Sequence, residues 1–303
     1  MKMRLKGIFL VFYVINVFLV ASCTLDPLES GPKDPNYREA TSSSKAGFDK
    51  VYDFLPAPGQ FINENYSATT QAEAIQAAQS ILDNNGILSL GAFGGYVVVG
   101  FDHSVDNNKG AYDFSIKCNS FTNNSEPGIV WVMQDENGNG IPDDTWYELK
   151  GSEYGNSSVY YDYEVTYSRP ETSGMEVKWE DNYGNSGTID YQASYHKQGF
   201  YYPLWINNSS YTLKGTRLPG RTEDVSGNGT KWQNHDFDWG YADNYGSDLL
   251  EQENRFDIEN AIKPGGIIVS LSHIDFIKVQ TAISEKAGWT GELSTEVRGF
   301  TDL

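Results

Sequence analysis

Cysteine is almost missing: Cys23 and Cys118 are the only two in 303 residues. A scaffold stapled by several disulfides is therefore excluded. Histidine is nearly as scarce, and His103, His196, His235 and His273 are too scattered to form a metal-ligand motif. Basic residues are few, 22 Lys and Arg against 41 Asp and Glu, for a net charge of −19. Such a surface disfavours nucleic acid and anionic lipid headgroups as partners. No G-x-S-x-G, H-E-x-x-H, P-loop or dinucleotide fingerprint is present, and no repeat of 20–50 residues. A long apolar run occurs only at the start, Gly7–Ala21, and it is too short to span a bilayer.

That run follows Lys2, Arg4 and Lys6, which is the layout of a secretory signal over residues 1–22. It ends in Val20-Ala21-Ser22-Cys23, which resembles a bacterial lipobox. The resemblance implies that Cys23 becomes the first mature residue and carries lipid, tethering an otherwise soluble chain to a membrane by its acyl groups alone. Loss of the leader removes three bases and no acid, taking the net charge from −19 to −22. Cys118 is then left without an intramolecular partner and reads as a buried thiol. Residues 23–47, rich in Pro, Ser and Asp, read as a flexible tether.

From residue 48 to 303 the pattern is mainly β. Apolar runs at Tyr96–Phe101, Ala111–Ile116, Gly128–Met133 and Thr145–Leu149 are separated by Gly, Asn, Asp and Ser. Further strands are expected at Asp162–Ser168, Gly174–Trp179, Thr188–Tyr191, Phe200–Ile206, Tyr211–Leu218, Gly266–Leu271, Ile274–Val279 and Thr295–Gly299. One amphipathic helix interrupts them. Thr70 and Glu73 make a capping box, Ala74, Ile75, Ala78, Ile81 and Leu82 recur at helical spacing, and Asn84-Asn85-Gly86 ends the helix. The fold expected is a jelly-roll-like antiparallel β-sandwich with one N-terminal helix, long loops and an elaborated region at about 168–257; two domains remain open.

The loop after Gly128–Met133 carries Asp135, Asn137 and Asn139, then Gly140, the carbonyl of Ile141, Asp143 and Asp144. Oxygen ligands at alternate positions before a turn-forming glycine suit a hard cation. The loop keeps the first half of an EF-hand pattern, but Trp146 stands where the bidentate Glu would be, and the flanks are strands. A plain hairpin would also use Asn-Gly and Asp. The oxygen ligands exceed what a turn needs, so a structural Ca²⁺ held by Asp135, Asn137, Asn139, Ile141 and Asp143 is expected.

Aromatic residues reach 14%, including 20 Tyr and 7 Trp, against a hydrophobic fraction of 39%. Some rings are therefore expected on a surface or in a groove, although thin sandwich cores use many as well. The segment Arg221–Glu253 is long, acidic and aromatic, and long loops of this kind often wall a ligand site. Trp232, His235, Trp239, Tyr241 and Tyr245, with Trp205, are the candidate ligand-binding residues. The competing reading for each ring is core packing, which Trp205, between Leu204 and Ile206, favours. His235 could ligate a transition metal or a corrinoid cobalt; solvation is the plainer reading.

Several pieces carry a family resemblance. DFLPAPGQFIN (Asp53–Asn63), GAFGGYVVVGFDHSV (Gly91–Val105), EPGIVWVMQDENGNGIPDDTWYELKGSEYG (Glu126–Gly155) and the terminal IDFIKVQTA…GELSTEVRGFTDL together resemble a Bacteroidetes cell-surface lipoprotein family. The third piece is also similar to an element of secreted bacterial jelly-roll modules. The resemblance implies a binding protein for TonB-dependent outer-membrane uptake, particularly of corrinoids (vitamin B12), anchored at the cell surface or facing the periplasm.

Three functions compete. A non-catalytic lipoprotein would capture a small-molecule nutrient, corrinoid or glycan, for a TonB-dependent receptor. A glycoside hydrolase-like, carbohydrate-active enzyme needs two carboxylates about 5–10 Å apart across a cleft. An adhesive or structural surface protein needs no pocket. The sequence favours the first and contains no distinguished pair of carboxylates.

Overall fold

Period-two alternation decides where the core lies. In the strand His273–Thr281, Ile277 and Val279 enter the main hydrophobic cluster while Lys278 and Gln280 point to the opposite face. The structure, a computed structural model, describes residues 34–303. The leader, Cys23 and the first part of the expected tether lie outside the described residues.

This strand is central to a seven-stranded antiparallel sheet, in the order Lys50–Leu55, Tyr96–Asp106, His273–Thr281, Gly128–Met133, Tyr147–Leu149, Ala261–Lys263, Ile267–Ile268. A five-stranded antiparallel sheet runs Leu249–Leu250, Glu253–Phe256, Phe114–Cys118, Glu296–Asp302, Leu88–Ser89. Val97, Val99, Val130, Val132, Ile277 and Val279 of the first sheet share one cluster with Phe114, Ile116, Val297 and Phe300 of the second. The fold is a mainly β antiparallel sandwich, as the strand spacing indicates. Cys118 is buried within this cluster as a free thiol.

The helix spans Gln71–Asp83 and lays Ala74, Ala78 and Leu82 against the sandwich. Thr70 accepts from the Glu73 N–H, while the Glu73 carboxylate takes the N–H and hydroxyl of Thr69, one residue earlier than a standard box. Asn85, at φ 59°, ends the helix, with the Gly86 N–H returning to the Ile81 carbonyl. Among the described residues no helix is long and apolar enough to cross a membrane.

A third layer covers the outer face of the large sheet. Ser210–Arg217, Tyr160–Ser168, Val177–Asp181 and Ser186–Ile189 form a four-stranded sheet. Its cluster buries Tyr163, Tyr167, Tyr201 and Tyr202 with Phe93 and Leu213. Part of the aromatic content packs in this second core, while Tyr112, Phe121, Tyr154, Tyr161, Tyr195 and Trp289 are among the rings left exposed.

Several segments differ from expectation. Phe200–Ile206 is not a strand: Pro203 lies within it, and Tyr201 and Tyr202 are buried in turns. Ser210–Arg217 instead pairs with Tyr160–Ser168. The strand expected at Ala111–Ile116 begins only at Phe114, because the buried Asp113 carboxylate accepts from the backbone of Asn108 and Ile258. Gly266–Leu271 contracts to Ile267–Ile268, both exposed. The end of the expected tether is docked: Arg38 donates to Asp275 Oδ1 at 3.0 Å and its N–H to Ser104 Oγ at 3.0 Å. The Asp302 N–H bonds the Ala46 carbonyl at 2.8 Å.

Candidate functional site

Antiparallel pairing places a row of side chains across the outer face of the large sheet. Val98 pairs Lys278, Lys278 pairs Trp131, Trp131 pairs Glu148 and Glu148 pairs Ile262. Because neighbouring strands share the pleat, these residues face the same way, away from the sandwich core. The strand Ser210–Arg217 crosses above the row. Thr216 donates its hydroxyl to Glu148 Oε2 at 2.5 Å, and Gln280 Nε2 donates to the carbonyls of Gly94 and Lys214. Gly215 permits this approach: a Cβ there would come within 2.3 Å of Gln280 Oε1.

The crossing encloses a cavity of about 450 Å³. Trp131, Glu148, Lys278 and Gln280 form its floor, Tyr154 and Tyr161 one wall, and Lys214–Thr216 and Lys263–Gly266 the rest. The Lys278 Nζ lies 4.7 Å from the Trp131 ring centre, 4.9 Å from that of Trp146 and 5.9 Å from that of Tyr96. Among the described residues it has no hydrogen-bond acceptor and no ion-pair partner. Burial holds its pKa down at about 8, opposed by the more distant Glu148 and Asp53 carboxylates. Burial likewise pushes Glu148 up to about 7, against the Thr216 hydrogen bond and Lys278. The indole N–H of Trp131 is buried without an acceptor. A desolvated cation, a carboxyl that titrates near neutrality and flat apolar walls can bind a small polar molecule and orient it.

Two smaller cavities also hold buried acids. One of about 360 Å³ is lined by Tyr66, Leu88, Asn119 and Glu296. The other, about 290 Å³, is lined by Phe93, Tyr167, Trp179 and Glu292.

The acidic loop is wired within itself. Asp135 is buried; its Oδ1 accepts from the Asn139 N–H at 3.1 Å and its Oδ2 from the Gly140 N–H at 2.8 Å. Asn139 Nδ2 reaches both Asp143 oxygens at 3.1 Å, and Asn137 Nδ2 bridges Asp143 and Asp144. Gly138 and Gly140 take φ 71° each, which makes the turn tight enough to gather these groups. The Ile141 carbonyl accepts from the Asp143 N–H at 2.8 Å. Among the described residues no three His, Cys, Asp or Glu side chains converge as metal ligands.

The six expected ligand-binding residues are not gathered. Trp205 is core: it packs on Phe54 and Tyr66, and its indole donates to Gln71 Oε1 at 2.7 Å. Tyr241 is core as well, fully buried with its hydroxyl taken by the Glu153 N–H. Trp232 is half-buried over Gly288 and donates to the Gly229 carbonyl. Trp239 is half-buried, Tyr245 is exposed alone, and His235 Nε2 lies 3.0 Å from Glu223 Oε2. None of the six lines any of these three cavities. Arg221–Glu253 is no open loop, because Asn244, Asp248 and Asn254 satisfy its buried backbone and one another.

Lys278, Glu148 and Trp131 were legible only as strand residues. The available signal was a lysine between Ile277 and Val279, in register with a lone Trp in GIVWVM. No protein-family model matches the chain, and no curated protein matches it.

Proposed function

We propose that the chain is a non-catalytic ligand-capture module whose site is the cavity over Lys278. The observation that carries the reading is an ammonium without an ion-pair partner among the described residues, walled by rings, on the floor of a cavity of about 450 Å³. A ring-sized nutrient such as a sugar unit fits this volume. A whole corrinoid does not fit inside it and would have to lie across the mouth. The resemblance noted above supports capture at the outer membrane for a TonB-dependent receptor, with a lipid on Cys23 as the membrane attachment. The mass of the N-terminal peptide from a membrane fraction tests that attachment.

The test of the site is thermal and calorimetric titration with simple sugars and with cyanocobalamin, on wild type and Trp131→Ala. Loss of a ligand's affinity in Trp131→Ala at near-native stability supports the cavity. Affinity unchanged by Trp131→Ala places the ligand elsewhere. The enzyme reading has one point in its favour: Glu148 holds a proton near neutrality and Asp162 lines the same cavity. Glycoside turnover lost in Glu148→Gln would decide for it.

We further propose that the Asp135–Asp143 loop holds a structural Ca²⁺. Bound to the folded state only, the ion should raise the melting temperature in proportion to the logarithm of its free concentration. The shift should vanish in Asp135→Ala. An unchanged wild-type melt in excess chelator, against millimolar Ca²⁺, would show that the hydrogen-bonded loop needs no ion.

A further inference from the structure

We infer that the cavity over Lys278 recognises the carboxylate of a ring-bearing monoacid, with Lys278 as its counter-ion, Glu148 as a second contact and Trp131 as the surface beneath the ring. This inference rests on the capture reading above and names the class of ligand.

Lys278 is partly removed from water, and a cation in that position is stabilised by a counter-charge. Elsewhere Lys214 pairs with Asp162 and Glu164, and Lys286 with Asp190. Among the described residues Lys278 meets only ring faces, and these stabilise a cation less than an anionic oxygen does. An acid entering the cavity supplies the missing partner. The other charges around the site limit how much negative charge it accepts. Glu148 faces it from Tyr147–Leu149, Asp53 from Lys50–Leu55 and Asp162 from Tyr160–Ser168, while Lys214 is already taken and Lys263 stands at the rim. A phosphate dianion would leave one charge unmatched by the floor ammonium and would also need Lys263 at the rim. A monocarboxylate needs only that ammonium.

Glu148 then becomes a contact rather than an obstacle. Thr216 occupies Oε2, and Oε1 has no partner among the described residues. A protonated Oε1 can donate to the incoming carboxylate, giving it a neutral donor beside the ammonium. Because burial already holds the Glu148 proton to about pH 7, binding at or above that pH draws a proton from solvent. The flat walls select a ring, whether the face of a sugar acid or an aromatic system.

The experiment compares acids with their neutral counterparts on wild-type protein by calorimetry: glucuronate with glucose, and indole-3-acetate with indole-3-ethanol. Each pair is measured at pH 6 and pH 8 and in buffers of different ionisation heat. The acid should bind at least about tenfold tighter than its neutral partner. Its binding should take up protons at pH 8 and weaken there. Lys278→Met should abolish the preference for the acid, and Glu148→Gln should reduce proton uptake at pH 8 to the share taken by Lys278, which is itself half-titrated there. Glucuronate binding alone assigns a sugar acid, and indole-3-acetate binding alone an aromatic acid. Equal binding of acid and neutral partner, with both lost in Trp131→Ala, overturns this inference and leaves the capture site standing. Binding by none of the four compounds overturns both. The wild-type comparison does not depend on any of the three variants folding.

Discussion

The melting temperature should be highest near pH 4 and should fall as the pH is raised to about 8. Burial pushes the carboxyls of Glu126 and Asp243 well above their ordinary values. It pushes Glu296 and Glu148 to about 7 and Glu292 to about 8. In the unfolded chain such groups titrate near 4. The folded state thus holds their protons more tightly, so their contribution is complete below pH 4 and is lost as the pH rises through 7 to 8. Lys278 acts in the other direction: with its folded pKa down at about 8, stability recovers in part between pH 8 and 10.5. Asp102, Asp181 and Asp190, held low by hydrogen bonds, lose their contribution only on the acid side, below about pH 4.

Glu292 is the sharpest single test. Its Oε1 accepts from the Gln60 N–H at 2.6 Å, and its Oε2 is buried with no partner. Glu292→Gln keeps the acceptor and removes the titration. It should leave the pH 5 melt near wild type and stabilise the protein at pH 9 by something on the order of 4 kcal/mol. A wild-type melt independent of pH from 5 to 8 would mean that these carboxyls are ionised in the fold.

The second large effect is expected at Asp275. This carboxylate is fully buried. Its Oδ1 accepts from Ser104 Oγ at 2.7 Å and from Arg38 at 3.0 and 3.3 Å, and its Oδ2 accepts from the Asp135 N–H at 2.8 Å. It therefore joins the docked N-terminal segment, the long strand Tyr96–Asp106 and the entrance to the acidic loop. Asp275→Ala strands three donors at once and should cost ~3–5 kcal/mol in denaturant unfolding. Arg38→Ala should cost less, because its guanidinium is a third exposed and solvent screens the pair. It should instead open residues 36–47 to limited proteolysis. A double-mutant cycle separates the pair from the remaining contacts, and an Asp275→Ala protein that melts as wild type would remove Asp275 from any structural role.

These two sites mark where the sequence could be read and where it could not. Gly128–Met133 has the bounds its apolar run predicts, and the helix begins at the Thr70 cap. Both signals are local. Asp275 inside IDFIKVQTA reads as one polar residue in a strand; its partners lie 140 to 237 residues away. The cavity was hidden for the same reason. Lys278, Trp131, Glu148 and Thr216 come from four strands, and only their register brings them together. Arg221–Glu253 misled in the opposite way. Asn, Asp and Gly are turn formers, so a segment dense in them resembles open loop, yet Asn244 and Asn254 use those same side chains to satisfy a buried backbone.

The position of the last two long strands constrains when the protein can fold. His273–Thr281 lies between Tyr96–Asp106 and Gly128–Met133, and Glu296–Asp302 lies between Phe114–Cys118 and Leu88–Ser89. Neither sheet is continuous until these two strands are in place. Loop closure over about half of the chain or more precedes those contacts, so folding is slow. A chain without Glu296–Asp302 would leave Phe114–Cys118 and Leu88–Ser89 each with an open edge, the exposed backbone that templates strand addition from another molecule.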